Sequence, residues 1–183
     1  MRKVIIALLT CTVLALPLVM AAAASAQTPV YVCDGIGEGI CMSLKAGATL
    51  APDENLISLG ENAGAWRWIV STVSYVGEEP GYDFSYGPLE NQLEGQPVLV
   101  FKLYADDHYC AANSDGGAVI NTCNTSLEQA WVLDPTNHYL VNMGRSNDKD
   151  NWEVLCNPGI GDKLVIGTRD SCTTYHEEWA IVL

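Results

Sequence analysis

The sequence predicts an all-β domain, and three observations carry that prediction. Short runs rich in β-branched and aromatic residues recur at close spacing, turn-forming clusters separate them, and helical periodicity is hard to find. The runs are Trp68-Ile69-Val70, Val98-Leu99-Val100-Phe101, Ala118-Val119-Ile120, Trp131-Val132-Leu133, Tyr139-Leu140-Val141, Leu164-Val165-Ile166 and Trp179-Ala180-Ile181-Val182. Between them stand Ser114-Asp115-Gly116-Gly117, Asp134-Pro135-Thr136-Asn137 and Asn157-Pro158-Gly159, residues that supply the positive φ, fixed φ or side-chain bonds of tight turns. Many short strands fit a sandwich or a barrel, and periodicity does not choose between them.

Residues 1–26 read as a secretory signal peptide. Arg2 and Lys3 give a basic start, Val4 to Met20 is almost unbroken apolar sequence, and Ala24-Ser25-Ala26 is a small-residue cleavage site before Gln27. An uncleaved anchor is the alternative, but Thr10, Thr12 and Pro17 interrupt the apolar stretch. Residues 27–183 then form one domain of 157 residues, enough for a genuine core. Seven basic residues against 22 acidic ones leave that domain at −15, which repels phosphate backbones and anionic membranes. Neither nucleic acid nor membrane is an expected partner, and solubility outside the cell accounts for the charge.

Cys11 leaves with the leader, so Cys33, Cys41, Cys110, Cys123, Cys156 and Cys172 remain. An even count in an exported chain argues for three disulfides. No C-x-x-C pair occurs and there are only three histidines, so no metal is expected. The chain also repeats. Glu128-Gln129-Ala130-Trp131 aligns with Glu177-Glu178-Trp179 and with Ala65-Trp66-Arg67-Trp68, and each tryptophan is preceded by a strand and, further back, by Cys41, Cys110 or Cys156. Repeats fall at about 27–73, 97–133 and 134–183, with an insertion at about 74–96. In the second and third units the two cysteines flank one turn, which predicts Cys110–Cys123 and Cys156–Cys172. In the first unit Gly60 stands where the second cysteine is due, and Cys33 lies across the Gly-rich turn from Cys41, which predicts Cys33–Cys41.

A threefold cysteine-to-tryptophan unit resembles the ricin B-type β-trefoil family, whose repeats end in Q-x-W. Gln129-Ala130-Trp131 matches that motif completely, Glu177-Glu178-Trp179 departs conservatively, and Trp66-Arg67-Trp68 keeps the final aromatic. The resemblance implies a β-trefoil in which Trp68, Trp131 and Trp179 fill the centre and Gln129 is a hydrogen-bonding core element. It also implies a lectin-like module, with an acid two positions after the first cysteine and an aromatic ring just before the second. Ser43, Ala112 and Pro158 occupy the first of these places, and Asn121-Thr122 and Asp170-Ser171 the second, so the usual sugar chemistry is missing.

Any glycan contact is expected in the second unit, where Asn113, Asp115, Asn121 and Asn124 supply donors and acceptors. Plain turn chemistry is the competing reading of the same residues. Trp152 could form a sugar platform or pack a hairpin. Asn124-Thr125-Ser126 is a glycosylation sequon. The insertion carries Tyr75, Tyr82, Phe84 and Tyr86 among small or acidic residues, a composition suited to a protein or glycan contact or to a strand pair at the rim.

Catalysis is not expected. His108 beside Asp106-Asp107 and His176 beside Glu177-Glu178 are the available acid–base pairs, but no serine-hydrolase, H-E-x-x-H or phosphate-loop motif appears, and no cofactor is implied. The resemblance implies a glycan as the partner, with an extracellular protein, as for a protease inhibitor or toxin-like protein, as the alternative.

Overall fold

The computed structural model describes residues 27–34, 39–60, 63–77, 93–144, 152–172 and 178–183. The leader, the Gly-rich turn at 35–38, insertion residues 78–92 with Tyr82, Phe84 and Tyr86, the run 145–151 before Trp152, and His176 lie outside the described residues. Among those described, no helix is long and apolar enough to cross a membrane.

Among the described residues, the short β-rich runs form twelve strands in three sets of four. The first set is β1 (Tyr31–Asp34), β2 (Ile40–Leu44), β3 (Glu54–Gly60) and β4 (Trp68–Tyr75). The second is β5 (Pro97–Leu103), β6 (Tyr109–Ser114), β7 (Gly117–Thr122) and β8 (Trp131–Leu133). The third is β9 (Leu140–Asn142), β10 (Glu153–Cys156), β11 (Val165–Thr168) and β12 (Trp179–Val182).

The first and fourth strand of each set close a ring. β4 pairs β5, β5 pairs β8, β8 pairs β9 and β12 pairs β1, while the bridges Val30–Trp68 and Tyr139–Glu178 join the remaining neighbours. The second and third strands form hairpins that pair with one another at one end, through β3–β7, β7–β11 and the bridge Ile57–Lys163. A six-stranded barrel capped by three hairpins is the β-trefoil that the repeats imply, and closure leaves the barrel without free edges.

Three equivalent hydrogen bonds tie barrel to cap. The buried indoles of Trp68, Trp131 and Trp179 donate from Nε1 to the carbonyls of Met42, Ala111 and Leu155 at 3.0, 3.1 and 2.8 Å. They fix the register of the repeats, so Met42, Ala111 and Leu155 are counterparts. Opposite them across the first hairpin gap stand Val32, Phe101 and Leu140, which share the same core cluster. The second unit thus combines the largest residue of one tier with the smallest of the other. Phe101 meets the Trp131 ring edge-on at a centroid distance of 6.4 Å, in the room that Ala111 leaves.

All three predicted disulfides are present: Cys33–Cys41, Cys110–Cys123 and Cys156–Cys172. Their equivalence is corrected, however. Cys41 and Cys110 each precede the indole-bonded residue, whereas Cys156 follows it, so the third unit's true counterpart is Val154. Likewise Gly60, opposite Ile40, matches Thr122 rather than Cys123.

Val154 completes a row on the outer side of the wall. Val98, Val132, Val141 and Val154 stand in register across β5, β8, β9 and β10, all fully buried. The equivalent row through β4, β5 and β6 reads Ile69, Lys102 and Cys110, and that through β12, β1 and β2 reads Ala180, Cys33 and Cys41. The valine row founds a second core, which also takes in Val76, Leu93, Met143 and Trp152, while Cys33 and Cys41 pack with Ala65 in a smaller cluster of their own. The two ends of the insertion are therefore structural anchors.

Gln129 acts as its motif implies. It sits in the 3-10 turn Leu127–Gln129, its Oε1 accepts from the Asn124 amide and its Nε2 donates to the Thr122 carbonyl, both at 2.8 Å, which pins the loop before Trp131. Gly144 crosses the same turn so closely that a Cβ there would stand 2.8 Å from the Glu128 nitrogen.

Two stability predictions follow from this packing, both read by urea unfolding. Gly144→Ala should destabilise by about 1–3 kcal/mol, because backbone rather than a flexible side chain must yield. Ala111→Met should cost about 1–3 kcal/mol by overfilling the tier, and Phe101→Val about 2 kcal/mol or more by emptying it. The double variant should recover at least about 0.5 kcal/mol of their sum; strict additivity would show that the two tiers do not share space.

Candidate functional site

The positions that the resemblance assigns to sugar binding are closed. With the register corrected, Ser43, Ala112 and Cys156 are the counterparts, and Pro158 is not among them. All three are buried. Ser43 Oγ accepts from the Trp66 amide at 3.0 Å, Ala112 offers no polar atom, and Cys156 is in a disulfide. None presents an acceptor to a ligand.

The four polar residues expected around one turn are drawn apart. Asp115, at φ 48°, and Gly116, at φ 82°, are the central pair of the two-residue hairpin turn between Ser114 and Gly117, the twist that such turns require. Asn113 Oδ1 accepts from the Gly116 amide at 3.2 Å. Asn121 lies at the far end of β7, three rungs or roughly 10 Å away, where its Nδ2 donates to Asp53 Oδ1 at 3.2 Å. Asn124 lies beyond it, with Oδ1 accepting from the Ser126 amide at 2.8 Å. Asn113 and Asp115 serve their turn, and no single ligand contact gathers the four. Trp152 is buried against the valine row, so its ring is packing and not an exposed platform.

A different constellation appears on the loop joining β5 to β6. Tyr104 is half exposed, and the Arg67 guanidinium lies 5.6 Å from its ring centroid, a cation–π distance. The Tyr104 amide donates to the Arg67 carbonyl at 3.0 Å, which holds the two segments together. Two residues on, Asp106 Oδ1 faces His108 Nδ1 at 2.8 Å and accepts from the His108 amide at 3.1 Å. Asp107 Oδ1 is 3.6 Å from the same imidazole nitrogen, and ligand atoms of Asp106, Asp107 and His108 lie within 4.8 Å of one another. That grouping could reach a cation, and the search for cysteine–histidine spacing overlooks it.

The hydrogen bond to Asp106, with the charges of Asp106 and Asp107, raises the His108 pKa above the ordinary histidine value. The same contacts hold Asp106 below the ordinary carboxylate value. His108 was noted in the sequence as an acid–base partner, but Tyr104 and Arg67 were missed. Their meeting depends on the pairing of β4 with β5, which places Trp68 opposite Leu103 and so sets Arg67 beside Tyr104.

No protein-family model matches the chain, and no curated protein matches it. Solved structures do. A cytolethal distending toxin from Actinobacillus actinomycetemcomitans superposes with a TM-score of 0.55 at 14% identity, over 84% of this chain and 90% of that one. The β-trefoil lectin of the Vibrio vulnificus hemolysin/cytolysin, solved with N-acetyl-D-lactosamine bound, gives 0.53 at 13% identity, over 87% and 96%. A Haemophilus ducreyi cytolethal distending toxin gives 0.54 at 12%, over 84% and 82%. At such identities the likeness is one of fold, and the fold is the β-trefoil.

Proton NMR of the three histidines tests the loop geometry. His108 should titrate above the ordinary histidine value in the folded chain and fall back towards it in Asp106→Asn. The pair's favourable interaction is complete below the ordinary histidine value and fades as pH rises through the raised one; at the acid end it fades as Asp106 protonates through its lowered value. An unshifted His108 would remove the contact.

Proposed function

We propose that this chain is an exported, non-enzymatic recognition module that binds carbohydrate. The observation that carries this reading is a trefoil with its interior filled. Three indoles and the tiers around them occupy the barrel, so recognition is left to loops on the outside. Shallow surface sites suit sugars, which offer hydroxyl edges and apolar C–H faces. A trefoil of this architecture, the Vibrio lectin, is described with a disaccharide bound. All six cysteines of residues 27–183 stand in disulfides, which removes thiol chemistry and suits an oxidising compartment outside the cell. The apolar leader supports export.

The test is binding of residues 27–183, oxidised and monodisperse, to an array of oligosaccharides, with a reduced and alkylated sample as control. Retention of defined glycans by the oxidised chain alone is expected. Absence of retention, together with protease inhibition that vanishes when residues 78–92 are replaced by a short turn, would replace this reading with a protein-binding one. The shortening must spare Val76 and Leu93, because both are core.

A further inference from the structure

We propose that the β5–β6 loop is the carbohydrate subsite of this chain, with Tyr104 as the stacking ring and Asp106 as the acceptor, and that its ligand is a neutral pyranose with vicinal hydroxyls. The inference rests on the carbohydrate reading above and gives it a place and a ligand class.

Stacking comes first. Tyr104 and Tyr75 are the exposed tyrosines among the described residues. Tyr75 ends β4 opposite Pro97, whereas Tyr104 shares a five-residue loop with two carboxylates. The Arg67 guanidinium lies over the Tyr104 ring at 5.6 Å from its centroid. About half of the residue stays open to solvent, which leaves an apolar surface for a sugar's C–H face.

The acceptor is preorganised. His108 engages Oδ1 of Asp106 from both its ring and its amide, while Oδ2 has no hydrogen-bond partner among the described residues. A carboxylate oxygen held in this way accepts from adjacent hydroxyls without first losing rotamer freedom.

The loop beneath it is rigid for independent reasons. The Tyr109 amide donates to the Asp106 carbonyl at 3.1 Å, the Cys123 amide to the His108 carbonyl at 2.8 Å, and the Tyr109 hydroxyl to the Leu50 carbonyl at 3.2 Å. The Cys110–Cys123 bridge closes its base. Stacking ring and acceptor are thus two residues apart on backbone that cannot swing.

Charge selects the ligand class. Asp106 and Asp107 face solvent here in a domain of strong acid excess, so sialylated or sulfated sugars meet repulsion. Of the nearby cations, Arg67 lies over the Tyr104 ring and His108 faces Asp106.

The experiment uses the oxidised 27–183 chain on an array of neutral oligosaccharides and their sialylated and sulfated counterparts, followed by calorimetry with the best neutral binder. Tyr104→Ala and Asp106→Asn should each weaken binding at least about tenfold, the loss of a stacking surface or of a charge-assisted hydrogen bond. Tyr104→Phe should retain most of it, and Asn121→Ala should bind as the unaltered chain does. All three positions are at the surface, and unchanged near-ultraviolet dichroism confirms folding. Full binding by both Tyr104→Ala and Asp106→Asn overturns this subsite while the carbohydrate reading stands. Preference for the anionic counterparts overturns the ligand class, and no glycan bound by the unaltered chain ends the carbohydrate reading itself.

Discussion

The fold depends on a hydrogen bond made three times, from an indole N–H in the fourth strand of each unit to a carbonyl in the second. Tryptophan is suited to that place because it brings a large apolar body and one donor. The body fills the barrel, and the donor satisfies a main-chain acceptor that the core would otherwise bury unpaired. Each bond spans from barrel to cap within one unit, so the three together set how the hairpins sit on the ring. The core tiers follow from that placement: Val32, Phe101 and Leu140 in one, Met42, Ala111 and Leu155 in the next.

Much of this was legible in the sequence. The short β-rich runs, the spacing of Trp68, Trp131 and Trp179, and the even cysteine count gave the fold class and the three bridges. The register of the third unit was not legible, for a definite reason. Cys156 is displaced by two positions from Cys41 and Cys110, and a shift of two in a strand returns a side chain to the same face. Alternation of apolar and polar residues is therefore blind to it, and only the indole bond to Leu155 reveals it.

The second core was hidden by its construction. Val98, Val132, Val141 and Val154 belong to four strands, none of which looks unusual alone, and they become a row only when pairing sets them side by side. A plain trefoil would expose such a row to water. Here Val76 and Leu93, at the two ends of the insertion, join it out of solvent together with Trp152, whose ring is thereby packing and not a recognition platform. Exposure of an aromatic cannot be read from its neighbours in sequence: Trp152 follows a polar run and is buried, whereas Tyr104 follows a strand end and is open.

The same logic explains how recognition and repeat can part company. The tiers constrain residues that point inward, and Ser43, Ala112 and Cys156, at the positions where the resemblance expects sugar contacts, are buried. Loops between strands carry no such constraint. The β5–β6 loop needs rigidity, which the Cys110–Cys123 bridge and the amides of Tyr109 and Cys123 supply irrespective of what Tyr104 and Asp106 do. Tyr104 and Asp106 are thus free to change chemistry on backbone that stays fixed. Arg67 is bound to the same loop by the β4–β5 register, so the Tyr104 ring meets a side chain from the neighbouring unit. Threefold repetition builds the support, and function can settle where one copy departs from the other two.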